Sequence, residues 1–144
     1  MDGWFVPAVL VLLVGSLGFL GVLWVTRRFS AKSKASRGLD IQLVRLTEQL
    51  RRNPSDAVAY TKRGIVRSRK GDLKGAIADF DKAIENDENN SEARYHRGVA
   101  CQEIGDLIGA ADDFNWIREN SEDPYFRTAV ADRLKQVRAK AQRG

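Results

Sequence analysis

Residues 63–80 read R-G-I-V-R-S-R-K-G-D-L-K-G-A-I-A-D-F, and residues 97–114 read R-G-V-A-C-Q-E-I-G-D-L-I-G-A-A-D-D-F. Both carry the skeleton G-x6-G-D-L-x-G-A-x2-D-F, displaced by 34 residues. Gly64 therefore answers to Gly98, Gly71-Asp72-Leu73 to Gly105-Asp106-Leu107, Gly75-Ala76 to Gly109-Ala110, and Asp79-Phe80 to Asp113-Phe114. Self-similarity at a fixed period marks stacked supersecondary units, none of which can bury its apolar face alone. The Gly-Asp in the middle of each copy turns the chain, so each copy reads as two helices joined by a tight connection.

Ser55-Asp56 caps a helix running to about Lys70, and beyond Gly71-Asp72 a second helix runs from Leu73 to about Asn86. Asn90-Ser91 opens the next helix, to about Ile104, and Leu107 to about Asn120 completes the second pair. Repeat one thus covers residues 57–90 and repeat two residues 91–124. Between the copies Cys101 replaces Arg67 and Ile117 replaces Ala83. Asp123-Pro124 starts a capping helix over residues 125–143, with Phe126, Val130, Leu134, Val137 and Ala141 on one face and basic residues on the rest. An apolar inner face and a charged outer one are what the end of a stack requires. On the other side Leu39, Leu43, Leu46 and Leu50, broadened by Ile41 and Val44, keep helical spacing until Asn53-Pro54. Residues 39–53 look like the second helix of a degenerate half repeat covering the open end.

On these residues the chain resembles the tetratricopeptide-repeat family over roughly Asp56 to Glu122. The resemblance implies an all-α fold, a short α-solenoid of antiparallel helix pairs over residues 39–144. It assigns Gly64 and Gly98 to helix approach, Ala76 and Ala110 to the contact, and Phe80 and Phe114 to the groove between helices. Where the family usually places a large apolar residue before the first Gly, this chain has Arg63 and Arg97, each followed sixteen residues later by Asp79 or Asp113. An Arg63–Asp79 and an Arg97–Asp113 ion pair across each hairpin are expected. The family places ligands in a concave groove lined by the first helix of each pair. By position that groove comprises Val58, Thr61, Ile65, Ser68 and Arg69, then Glu92, Tyr95, Val99, Gln102 and Glu103. Thr61 and Ile65 stand where chaperone-docking members hold a terminal carboxylate with Lys and Asn, which argues against that clamp. A mixed apolar and polar groove suits a peptide or a helix of a protein partner.

Trp4 to Val25 carries no charged residue. At about 1.5 Å per residue such a helix crosses the roughly 30 Å hydrocarbon layer, so residues 1–26 read as a transmembrane anchor. Trp4 and Trp24 lie near its ends and Pro7 in its first turn. A signal peptide is the competing reading, but Asp2 and the absence of Lys or Arg before the run argue against it. Arg27, Arg28, Lys32, Lys34 and Arg37 crowd a linker over residues 27–38. Their excess places the N-terminus outside and the repeats on the cytoplasmic or stromal side, and the cluster also suits anionic lipid headgroups. Gly15, Gly18 and Gly21 would let another helix approach the span, though without a G-x-x-x-G motif.

Lysine and arginine number 24 against 19 acidic residues, for a net charge of +5. Five of the basic ones sit in the linker, so the surplus is local and no nucleic-acid partner is expected. One cysteine, Cys101, permits no internal disulfide, and one histidine, His96, leaves no metal cluster or nucleophile and base pair. Neither enzyme activity, a cofactor nor a small-molecule substrate is expected. Asp87, Asn89 and Ser91 have the alternate spacing of a calcium loop, but Glu92 and Gly98 stand where Gly and a bidentate acid are needed. Cys101 reads as a small core residue and His96 as a solvated one. An N-terminal anchor before repeats of the form R-G-x6-G-D-L-x-G-A-I-x-D-F resembles small cyanobacterial and plastid repeat proteins that assist photosystem I assembly. That resemblance implies a thylakoid membrane and an adaptor or assembly factor that binds subunits of a membrane complex. The alternative is a permanent structural subunit held through its span.

Overall fold

The repeated Gly-Asp turns are built alike. Gly71 and Gly105 take φ of +85° and +90°, a region that side chains resist, and so end the helices before them. Asp72 and Asp106 then cap the following helices, their carboxylates accepting the N–H of Gly75 and Gly109 at 3.0 and 2.9 Å. Asp56, Asn90 and Asp123 cap in the same way, through Ala59, Ala93 and Tyr125.

A computed structural model describes residues 36–143. Within them the chain forms α1 (residues 36–52), α2 (Ala57–Arg69), α3 (Leu73–Asn86), α4 (Ser91–Ile104), α5 (Leu107–Asn120) and α6 (Pro124–Ala141). No strand occurs among the described residues. Residues 39–144 form one compact unit. In it α2 packs on α3, α3 on α4, α4 on α5 and α5 on α6, while α2 touches α4 and α4 touches α6. The first helices of the pairs therefore share one layer with α6, and the second helices lie behind them.

Small residues let the pairs close. A Cβ on Gly64 would come within 2.5 Å of the Phe80 ring, and one on Gly98 within 2.7 Å of the Phe114 ring. Phe80 and Phe114 are wholly buried. Phe80 centres a cluster with Ala76, Ala83, Ile84 and Ala93. Phe114 centres another with Cys101, Ala110, Ile117, Val130, Leu134 and Val137. In α6 Val130, Leu134 and Val137 are buried as their spacing predicts, whereas Ala141, the last residue of the helix, is exposed.

Two expectations are corrected at α1. Its helix already holds at residues 36–38, which were read as linker. Ile41 and Val44 do not widen the packing stripe but stand 69% and 72% exposed, because α2 covers one side of α1 and buries Leu50 instead. The expected anchor over residues 1–26, with Gly15, Gly18 and Gly21, lies outside the described residues, as do Arg27, Arg28, Lys32 and Lys34. Arg37 lies on α1 and is exposed. Among the described residues no helix is long and apolar enough to cross a membrane.

Candidate functional site

Both expected ion pairs form, and both are bidentate. Arg63 Nε and Nη2 donate to the Asp79 carboxylate at 2.9 and 2.6 Å, and Arg97 repeats the geometry on Asp113 at 2.9 and 2.6 Å. Asp79 and Asp113 are buried, so each acid is held by a charge-assisted fork instead of by water. The repeats then diverge. Arg67 adds a second cation to Asp79 at 3.0 Å, while its counterpart Cys101 cannot, and Arg97 reaches across to Asp81 at 2.6 Å. Arg94 lies 3.9 Å from Asp113 and stacks over the Trp116 ring at 4.0 Å. Burial pushes the Asp113 carboxyl above its ordinary value even against Arg97, and the hydrogen bond to Asp113 holds the Arg97 guanidinium firmly protonated. These pairs lock each hairpin, and Arg94 and Arg97 also line a cleft of about 430 Å³ with Asp81, Ile84, Glu85 and Glu88.

His96 is not the solvated residue expected from a lone helical histidine. Its ring stacks on Phe80 at 5.9 Å and meets Tyr95 edge-on at 5.4 Å. Burial lowers its pKa, with Glu92 opposing and Arg69 assisting, so the imidazole is neutral near pH 7. Burial likewise raises the Cys101 thiol to about 11, which suits a core residue and not a nucleophile. Among the described residues no three of His, Cys, Asp and Glu converge as metal ligands do.

The groove expected from the sequence lies on the first-helix layer. On α2, Val58 and Arg69 are exposed and Ile65 and Ser68 half-buried; on α4, Glu92 and Glu103 are exposed and Tyr95, Val99 and Gln102 half-buried. Thr61 departs from the expected groove, being 1% exposed. Its hydroxyl donates to the Ala57 carbonyl at 2.9 Å and accepts from Asn90 Nδ2 at 3.2 Å. It ties α2 to the turn before α4 and is closed to a ligand. Tyr95, one repeat on, packs its ring against Phe114 and Phe126 at 6.1 and 5.8 Å.

Two cavities open on this layer. One, of about 580 Å³, lies at the inter-repeat turns and brings Val58, Glu92 and Phe126 together among Asp87, Asn89, Ser91, Asn120 and Asp123. Phe126 was assigned only to the packing face of the capping helix. The 34-residue register carries Val58 to Glu92 and then to Phe126, a signal that extends the groove into α6. The other, of about 620 Å³, lies between α1 and α2 and is lined by Arg45, Leu46, Gln49, Lys62, Ile65 and Arg69, with Gln42 and Val66. Only Ile65 and Arg69 of these were expected to face a ligand.

No family model matches the chain, and no curated protein sequence matches it. Solved structures do match. The first TPR of Spaghetti (RPAP3), bound to the HSP90 peptide SRMEEVD, is 19% identical with a TM-score of 0.67, covering 74% of this chain and 82% of that one. The Yersinia enterocolitica type III secretion chaperone SycD, in complex with a peptide of the translocator YopD, is 18% identical with a TM-score of 0.67, over 88% and 95%. The TPR2B domain of yeast Sti1, in its pHsp70 complex, is 26% identical with a TM-score of 0.59, over 70% and 80%. The described residues have the tetratricopeptide-repeat fold.

Proposed function

We propose that this chain is a protein-binding adaptor whose first-helix layer takes a peptide segment of a partner. The observation that carries the reading is the cavity in which Val58 and Phe126 offer apolar contact beside the carboxamides and carboxylates of the inter-repeat turns. A concave site that mixes a few apolar contacts with polar groups fixes an extended segment by shape and hydrogen bonding. Peptide complexes of SycD and of the first Spaghetti repeat domain, which share the fold, support it.

In its finer form, the adaptor is anchored by residues 1–26, with the N-terminus outside, the repeats on the cytoplasmic or stromal side, and Arg27, Arg28, Lys32, Lys34 and Arg37 against lipid headgroups. It assists assembly of a membrane complex. The repeat phrasing R-G-x6-G-D-L-x-G-A-I-x-D-F and the uncharged run before it support photosystem I in the thylakoid as that complex. Affinity purification of the full chain, of a chain lacking residues 1–26, and of a Val58→Glu, Phe126→Glu variant tests both levels. The adaptor reading expects a substoichiometric partner that the double variant loses. Capture that depends on residues 1–26 but ignores the double variant removes the groove, and retention at fixed ratio through salt washing makes the chain a structural subunit instead.

A further inference from the structure

Arg45 stands on α1 where Asp79 stands on α3. Arg63 Nη1 meets Thr47 Oγ1 at 3.5 Å just as Arg97 Nη1 meets Asp81 Oδ1 at 2.6 Å, so α1 stands to α2 as α3 stands to α4. The 34-residue register thus runs back through α1. In it Gln42, Arg45, Leu46 and Gln49 take the places of Ala76, Asp79, Phe80 and Ala83, all four of which are buried in α3. In that whole repeat α2 covers α3, setting Gly64 on Phe80 and Arg63 on Asp79. The 620 Å³ groove between α1 and α2 is accordingly the seat that a first helix of the half repeat would fill. Its walls are Gln42, Arg45, Leu46 and Gln49 on one helix and Lys62, Ile65, Val66 and Arg69 on the other, both at i, i+3, i+4, i+7. A matched pair of helical stripes with an apolar floor accepts a helix, not a flat surface.

Charge says what kind of helix. Arg45, Lys62 and Arg69 line the groove and no carboxylate does. The acids nearby are engaged: Asp40 with Lys70, Glu48 with Arg51 and Arg52, and Asp56 with the Ala59 N–H and Gln49. In the whole repeat Asp79 receives Arg63 and Arg67, so Arg45 in its place inverts the demand on the facing helix. The chain's own preceding residues, Arg27, Arg28, Lys32 and Lys34, have the same sign as the groove. Like charge makes them poor occupants.

We propose that the α1–α2 groove docks an acidic amphipathic helix of a partner protein, which packs there as the first helix of the half repeat and sets a carboxylate against Arg45. The inference rests on the protein-binding reading and gives the partner a chemistry and a second seat.

Two dye-labelled, terminally blocked peptides test it by fluorescence anisotropy against the full chain in detergent solution. One has the sequence of residues 57–70 with Lys62→Gln, Arg69→Gln and Lys70→Gln; the other carries in addition Arg63→Glu and Arg67→Glu, the positions that face Asp79, and so holds two carboxylates and no cation. The acidic peptide is expected to bind about tenfold more tightly than its parent, and Arg45→Glu in the full chain to reverse the order. Arg45 is exposed, so the variant should fold, and circular dichroism checks it. Equal binding, no binding of the acidic peptide, or an order indifferent to Arg45→Glu overturns the proposal. So does binding of phosphatidylserine vesicles through the same cations while neither peptide binds. Partner capture lost in the Val58→Glu, Phe126→Glu variant but indifferent to Arg45→Glu keeps the adaptor and discards this groove.

Discussion

Gly64 and Gly98 are held by a steric demand that can be measured. The Phe80 ring has no room to move away from a new methyl group, so Gly64→Ala should destabilise the fold by about 1–3 kcal/mol in chemical denaturation despite alanine's better helix propensity. The arginine pairs behave differently. Arg97→Met leaves the buried Asp113 charge without its fork and should cost about 3–5 kcal/mol, whereas Arg97→Met with Asp113→Leu should recover most of the loss. A double-mutant cycle that finds the two effects additive would remove the pair as a stabilising unit. At His96 the folded state holds a proton less tightly than the unfolded chain, whose imidazole titrates near 6.5. The unfolded state therefore takes up more protons as pH falls through 6.5, and stability drops until the lowered folded value is passed. Urea midpoints at pH 7.5 and 5 should show a loss for the native chain that is smaller in His96→Gln. Glu92 and Arg69 face this ring, and their opposite signs leave burial as the dominant cause.

At the scale of the element, α1 and α6 close the two ends of the stack by different means. Helix α6 buries Val130, Leu134 and Val137 beside Phe114 and is half of the C-terminal cluster. Helix α1 buries Leu50 and leaves Leu39, Leu43 and Leu46 partly covered. Leu50→Ala should cost about 2–5 kcal/mol, while Ile41→Asp with Val44→Asp should stay within about 0.5 kcal/mol, since those side chains touch water. Equal losses in thermal melts would mean that the outer face of α1 is packed after all. The helix spacing of α1 and its stripe of Leu39, Leu43, Leu46 and Leu50 were legible in the sequence, but not how wide the packed face is. Leucines, isoleucine and valine ring more than half the helix, and hydrophobicity alone does not choose among them.

Among the described residues the core falls into two clusters, one around Phe80 and one around Phe114. In stacked repeats stability is nearly a sum of units and neighbour contacts. Leu134→Ala should therefore speed amide exchange in α4, α5 and α6 before α2 and α3, which hydrogen-exchange mass spectrometry would resolve. A uniform rise across the described helices would instead mean that the repeats unfold as one. The candidate site was half legible for the same modular reason. The register located Val58, Glu92 and the rest of the first-helix layer, because a periodic sequence fixes equivalent positions. It misplaced Thr61, whose burial comes from Asn90 in the next repeat's turn, and it passed over Arg45 and Lys62, whose shared groove exists only once α1 lies beside α2.

By itself the sequence determined the repeat, the turns, the helix limits from Asp56 to Asn120 and the Arg–Asp pairs, because each depends on residues a fixed number of positions apart. Only the tertiary structure decided that His96 lies on Phe80, that Thr61 is closed, that Ile41 and Val44 face water, and that Arg45, Lys62 and Arg69 share a groove beside the half repeat. Those features are set by neighbouring helices in three dimensions, and local spacing carries no record of which side chains those helices bring together.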